Sequence, residues 1–193
     1  MLFRSLEGLR HHGAQKLAWM DYGGWAGPYL GAQGFQRLDK VMTLAKSNRA
    51  LPQVNGADAR IRLASEADIP AIVAVDRAAF TPHWWHSEAT LRRRAFTSPY
   101  FAVAERAGKV VAYAEATLHL PTAHLNRIAV HPAHQHHGIG AALLHDAVCA
   151  FWQSGAEKVT LNTQTDNRPS QRLYRRFGFE PTGDFLTVWE LHL

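Results

Sequence analysis

The stretch Leu125–Leu144, LNRIAVHPAHQHHGIGAALL, constrains this chain more than any other. An apolar, β-branched run reaches Val130, and a helical period begins at Ile139, with Gln135-His136-His137-Gly138-Ile139-Gly140 between them. Glycines at a strand-to-helix turn let backbone N–H groups approach an anion closely. The helix N-terminus adds a partial positive charge, so a pyrophosphate is the natural ligand. The dinucleotide fingerprint is absent, because it needs Gly or Ala three residues after Gly140, where Leu143 stands. The Lys-Ser/Thr of a P-loop is missing as well.

The neighbouring segments predict what surrounds this turn. Arg60–Ala64 reads as a strand, and Ser65-Glu66-Ala67-Asp68 as a capping box opening a helix with apolar Ile69, Ile72, Val73, Val75 and Phe80. Thr81–His86 breaks that helix, and Ser87 caps the next one, through about Phe96. Tyr100–Glu105 and Lys109–Leu118 flank Arg106-Ala107-Gly108 as a hairpin. Leu125–Val130 is a strand, Gly138–Gln153 a helix, Lys158–Thr163 a strand and Ser170–Phe177 a helix. The final hairpin, Pro181–Asp184, is short, and Phe185–Leu193 closes the chain as a strand. This order predicts an α/β fold with a mixed, largely antiparallel central sheet and helices on both faces.

The N-terminal quarter carries a second pattern. SLEGLRHHGAQKLAWMD (5–21) parallels DAVCAFWQSGAEKVTLNT (146–163): each is a helix ending at Gly (Gly13, Gly155), then Ala-Gln/Glu-Lys and an apolar strand. GPYLGAQGFQRLDKVMTLAK (27–46) parallels SQRLYRRFGFEPTGDFLTVWE (170–190) through Gly34-Phe35 and Gly178-Phe179. The offset is 142 residues at the first glycine pair and 144 at the second, so the register holds with one small indel. Residues 1–50 therefore read as the degenerate C-terminal half of a repeat, 51–58 as a linker within the polar stretch Ser47–Asp58, and 59–193 as the full domain. Such a half leaves strand edges and an apolar face uncovered, with Leu17, Trp19, Val41 and Leu44 as candidates. The face would pack on the full domain or on the same segment of a second chain, giving a homodimer. A further alternative is that Met1 is an internal start and the natural protein is longer. Gly23-Gly24 is not expected to hold phosphate, because it follows its strand where the second copy has only the Thr165–Asn167 turn.

Taken in order, these parts resemble the GNAT superfamily of N-acetyltransferases. The matching elements are the strand Ile128-Ala129-Val130, the turn Gln135–Gly140 (Q/R-x-x-G-x-G/A), Asn167, Tyr174 seven residues on, and Gly178-Phe179. The resemblance covers about residues 60–193. It implies acetyl-CoA as cosubstrate and transfer of acetyl to a primary amine, of a small molecule or of a peptide or protein, by direct attack in a ternary complex. Residue by residue, it implies that Gln135, His136, His137, Gly138, Ile139, Gly140 and Ala141 form the pyrophosphate loop, and that Ile128, Ala129 and Val130 bond the pantetheine. It implies that Asn167 contacts the pantetheine arm and that Tyr174 is the general acid for the departing thiolate. Trp84 and Trp85, in the loop between the first two helices, would meet the acceptor, where indole faces suit an amine.

The general base departs from the family's pattern. Where some members have Glu on the strand before the Asn, this chain has Asn162; where others have Glu at the start of the preceding strand, it has His124. An imidazole of pKa about 6.5 can relay the proton, and a surface histidine is the competing reading.

Composition removes other classes. The chain has no run of about 18 apolar residues, which speaks against a membrane-spanning helix, and Glu7 within a helical pattern speaks against a signal peptide. One cysteine, Cys149, makes no intrachain disulfide and fits a reducing cytoplasm. Of the net charge of +5, residues 1–55 supply +4 (7 basic, 3 acidic), and the one dense run, Arg92-Arg93-Arg94, reads as a solvated helix face. No nucleic-acid partner is therefore expected. His131, His134, His136 and His137 fit no common zinc spacing and lack carboxylates or thiols beside them, so no metal is expected. The rivals are a non-catalytic CoA-binding or interaction module, favoured by the missing glutamate and the incomplete repeat, and a nucleic-acid-associated protein, whose mark would be salt-dependent binding.

Overall fold

The computed structural model describes residues 8–54 and 56–193. After a helical turn at 8–11 come β1 (Lys16–Tyr22), α1 (Gly27–Ala32) and β2 (Gln36–Lys46). Then follow β3 (Arg60–Leu63), α2 (Ile69–Ala79), α3 (Glu88–Thr97), β4 (Tyr100–Arg106), β5 (Lys109–His119) and β6 (Thr122–Val130). The chain continues through α4 (Ile139–Gln153), β7 (Lys158–Gln164), α5 (Arg168–Arg176) and β8 (Glu180–His192). The expected start of the first helix near Ser5 lies outside the described residues.

The chain divides into two compact units. The larger holds Ala45–Leu161 and Arg172–Glu180. Its strands run β3-β4-β5-β6-β7, antiparallel except for the parallel pair β6–β7. Its core forms where Ile69, Ile72, Val73 and Val75 of α2 and Leu91 of α3 meet Phe101, Val103, Tyr113 and Ala129 of the strands. Helix α4 buries Ile139, Leu143, Leu144, Ala147, Val148 and Phe151, and the Phe151 ring meets Tyr100 edge-on at 5.5 Å. The mixed, largely antiparallel sheet expected from the sequence is what forms.

The predicted capping box exists, in a tighter form. Glu66–Asp68 is a 3₁₀ turn, and α2 begins only at Ile69, with Pro70 in its first turn. The Asp68 carboxylate accepts the Ser65 backbone N–H (2.7 Å) and two guanidinium bonds from Arg62 (2.7 and 2.8 Å). Those bonds, Arg62 first, hold its pKa well below the usual carboxylate range.

The smaller unit gathers residues up to Leu44, Asn162–Gln171 and Pro181–Leu193. Its strand order is β1-β8-β2-β7, with β1 antiparallel to β8 from Lys16↔His192 to Tyr22↔Leu186. One expectation changes here. No turn separates Pro181–Asp184 from the last strand: β8 runs unbroken, absorbing a kink at Gly183 (φ +90°), where the Thr182 hydroxyl accepts the Asp184 N–H at 3.2 Å. Of the residues named for the face that needs a cover, Val41 and Leu44 are buried, Leu17 is half-buried, and Trp19 on the edge strand β1 is exposed.

Because β8 lies between β1 and β2, removing residues 1–54 strips both its partners. The truncated chain is expected to be insoluble or to melt many degrees below the parent. A soluble, monomeric 55–193 fragment with the parent's Tm would show the segment to be dispensable.

Candidate active site

Strand β6 ends at Val130, and Pro132–His134 turns the chain once as a 3₁₀ helix. The Gln135 side-chain amide donates to the Val130 carbonyl (3.1 Å), closing the strand end, and His137 Nδ1 donates to the Gln135 carbonyl (2.7 Å). His136 and Gly138 both sit in the left-handed region (φ +65° and +75°), which bends the backbone around the turn. The first α4 bond runs from the Ala142 N–H to the Gly138 carbonyl. Helix geometry therefore leaves the N–H groups of Ile139, Gly140 and Ala141 without intrahelical acceptors. Gly140 is held close: a Cβ there would stand 3.5 Å from Val130 and 3.7 Å from Leu173 of α5. The turn itself, 135–138, is exposed.

The parallel ladder pairs Thr122–Leu125 with Lys158–Leu161 and stops. Past Leu125, β6 is paired on its β5 side only, so Asn126–Val130 offer backbone groups along the other edge. Ile128 and Val130 are half-buried there, and Ala129 is buried against Tyr113. The β5–β6 register shifts between Glu115 and Ala116, leaving Asn126 bulged with no residue opposite.

His124 lies just before the bulge. Its Nδ1 is 2.7 Å from Thr160 Oγ1, whose own O–H points to the Ala123 carbonyl at 3.3 Å. That arrangement makes the threonine oxygen the acceptor and places the imidazole proton on Nδ1, leaving the Nε2 lone pair unprotonated. Burial pushes the His124 pKa down, opposed by the negative charge of Glu115. Glu115, 1% exposed, accepts from Asn126 (2.9 Å), the Ser98 hydroxyl (2.6 Å) and the Arg94 guanidinium.

A second buried cluster anchors the loop that carries the tryptophans. Arg127 pairs with Asp76 of α2 (2.8 Å), donates to Tyr113 (3.0 Å) and to the Trp84 carbonyl (2.6 Å), and stacks 3.7 Å from the Phe80 ring centroid. Asp76 also accepts the His86 backbone N–H at 3.0 Å. Burial first, then the charge of Arg127, pushes the His86 pKa down to about 4. Trp85 is exposed on one side, its indole N–H donating to the Phe80 carbonyl (2.8 Å). Trp84 is half-buried.

Tyr174 lies on α5, 5% exposed, its ring edge-on to Phe179 at 6.1 Å. Thus His124, Ile128–Val130, Gln135–Ala141, Tyr174, Trp84 and Trp85 all belong to the larger unit, and Asn167 to the smaller. Asn167 Oδ1 accepts the Ser170 N–H (3.2 Å), so part of its side chain caps α5. Sequence reasoning missed Glu115, Arg127 and Asp76. The available signal was a charged residue inside an apolar strand or helix, as Glu115 is in VVAYAEATL.

A strand with one edge half-paired runs into a helix N-terminus whose N–H groups can meet an anion, in an α/β frame. Comparison with known proteins is consistent. The Acetyltransferase (GNAT) family matches residues 69–179, more than half the chain, and the chain belongs to that family. It is 30% identical over 138 residues to an N-alpha-acetyltransferase of Sulfurisphaera tokodaii, covering 65% of this chain and 82% of that protein. It is 28% identical over 167 residues to a mycothiol acetyltransferase of Mycobacterium sp. (strain JLS), covering 76% of this chain but only 54% of that protein. A GCN5-related N-acetyltransferase from Sphaerobacter thermophilus shares the fold, with a TM-score of 0.73 at 15% identity over 98% of this chain and 65% of that one.

Gly138→Asp places a carboxylate in the turn while keeping a residue type that tolerates positive φ. Calorimetry is expected to show acetyl-CoA affinity falling more than about tenfold, a loss of at least about 1.4 kcal/mol, with the circular dichroism spectrum unchanged. Unaltered affinity in the folded variant would refute the assignment of this turn.

Proposed function

We propose that this chain is an acetyl-CoA-dependent N-acetyltransferase acting on a primary amine by direct transfer in a ternary complex. The single observation that carries the reading is the α4 N-terminus, with three N–H groups lacking helical acceptors, at the end of a strand whose last five residues are open on one edge. The donor set fits the thioester's phosphates: His136–Ala141 offer main-chain N–H groups and the positive helix end, with no carboxylate among them. Acetyl-CoA would supply the activated acyl carbon.

The chain's own groups account for the rest. Backbone groups of Ile128–Val130, apart from the Val130 carbonyl that Gln135 already holds, can pair with an extended amide arm as a further strand would. His124 takes the proton of the incoming ammonium at Nε2, either directly or through a water, because Thr160 holds its proton on Nδ1. Tyr174 donates to the departing thiolate. Arg127 holds the Trp84 carbonyl and so sets the loop that presents Trp84 and Trp85 to the amine. Asn167, capping α5, positions the helix that carries Tyr174.

The acceptor is the amine of a small molecule or of a peptide or protein N-terminus. Relatives named for each class of acceptor support keeping both in the screen. We place the protein in the cytoplasm, on the evidence of its single thiol, and assign it no metal, nucleic-acid or membrane partner. Among the described residues no helix is long and apolar enough to cross a membrane.

Residues 1–50 are proposed to be the degenerate C-terminal half of a second GNAT-like repeat that does not bind CoA, with 51–58 as linker and 59–193 as the catalytic domain. In support, helix–strand–helix–strand recurs over 8–46 and 139–192, and Gly13, Gly155, Gly34 and Gly178 all have positive φ at corresponding places. Trp19, Met20, Tyr22 and Trp25, exposed on and beside the edge strand β1, support a homodimer formed through this segment.

The decisive assay is release of CoA thiol on incubation with acetyl-CoA and a panel of small amines, polyamines and peptide N-termini. Binding of acetyl-CoA without turnover on any of them would favour a non-catalytic CoA-binding module. With an acceptor in hand, Tyr174→Phe should lower kcat by about 10²–10⁴ while leaving cofactor affinity within a few-fold. Near-normal kcat would make Tyr174 structural.

The pH profile tests His124. A lowered pKa keeps the imidazole neutral, and basic, down to a pH below its ordinary value of 6.5. Activity should therefore persist through pH 6.5 and fail only as pH drops through the lowered pKa. The kcat/KM profile is expected to carry this acid limb in the parent and to lack it in His124→Gln. The same limb in both proteins would exclude His124 as base.

A further inference from the structure

A cavity of about 340 Å³ lies in the smaller unit, bordered by Asp21 of β1, Gly27 and Pro28 at the start of α1, Arg37 of β2, and Thr187 and Trp189 of β8. Asp21 is 1% exposed. Its Oδ1 accepts the Ala26 N–H at 3.2 Å, while Oδ2 is buried with no partner, and among the described residues no ion pair reaches this carboxylate. One hydrogen bond from a neutral N–H leaves most of the desolvation cost of a buried carboxylate unmet. Trp189, 8% exposed, has the complementary defect: its indole N–H is buried without an acceptor.

The two residues that carry these orphans border the same space. A methyl group at Gly27 would stand 3.6 Å from Asp21 Oδ2 and 3.1 Å from the Trp189 ring, so the absent side chain is what keeps that space open beside both. Arg37, exposed at the cavity, lays its guanidinium 5.3 Å from the Trp189 ring centroid. The charges decide the ligand. A simple cation answers Asp21 but meets Arg37, and a simple anion answers Arg37 and the indole N–H but meets Asp21. A neutral hydroxyl compound leaves the carboxylate without a counter-charge.

We infer that this cavity binds a small zwitterion, an amino acid or ω-amino acid whose ammonium group pairs with Asp21 and whose carboxylate meets Arg37 and the Trp189 N–H. The indole face takes the aliphatic body between the charged ends. The volume is at the low end for ligand pockets, which suits a molecule of this size. The site lies wholly within the smaller unit, and the inference does not depend on acetyl transfer.

The test is titration calorimetry and thermal unfolding of the full chain with glycine, β-alanine and 4-aminobutyrate, with butylamine and butyrate as single-charge controls. At least one zwitterion is expected to bind saturably and raise Tm, with both controls at least tenfold weaker. Asp21→Asn, which keeps the acceptor for Ala26, and Arg37→Gln, on the surface, should each weaken binding at least tenfold. Gly138→Asp, altered in the other unit, should bind as the parent does. Should Asp21→Asn fail to fold, Arg37→Gln and the filled cavity of Gly27→Ala still decide. The inference is overturned if no zwitterion binds, if butylamine binds equally well, or if binding survives both Arg37→Gln and Gly27→Ala.

Discussion

The early end of the β6–β7 ladder governs the larger unit. Four residue pairs hold the strands, and then β6 continues alone on that side for five residues before the glycine turn. A strand edge left open inside a mixed sheet exposes backbone donors and acceptors that must be met by water or by an extended ligand. The same strand end feeds α4, so open backbone edge and positive helix end follow one another along a single stretch of chain. On the proposed reading, consecutive residues, Ile128 to Ala141, would address a long arm and an anionic head.

At the bulge, the Asn126 side-chain amide donates to Glu115 across the pair, while β6 keeps its alternation of buried and half-buried residues. Glu115 and Asp76 are both buried, and each is matched by an arginine, Arg94 or Arg127, together with hydroxyl donors. Removing one partner from such a pair is costly because the other charge stays buried. The Asp76–Arg127 cluster therefore ties the Thr81–His86 loop to the sheet, since the loop's Trp84 carbonyl and His86 N–H are both among its ligands.

Much of the larger unit was legible in the sequence because local chemistry and tertiary context agreed there. The hairpin β4–β5, the helix α4 with its glycine turn and the Ser65–Asp68 box follow from turn residues, caps and periodicity. Disagreements fell where a local signal was overridden. Pro181–Asp184 has turn residues, yet β8 continues through them because Gly183 takes a positive φ and the strand has partners to rejoin. Val41 and Leu44, read as part of a face that needs a cover, are buried, and what covers them is not displayed by the sequence.

Glycine spacing, the apolar period of α4 and the order of strand, turn, Asn, Tyr and Gly-Phe are properties of the chain itself, and they specified the family and the glycine turn. Where β6 parts from β7, which acid sits behind His124, and why Asp21 and Trp189 keep unmatched polar atoms were decided only by folding. The physical reason is range. Caps, turns and periods act within a few residues, whereas Glu115 meets Arg94 across 21 residues, Arg127 meets Asp76 across 51, and Asp21 meets Thr187 only through the pairing of the first strand with the last.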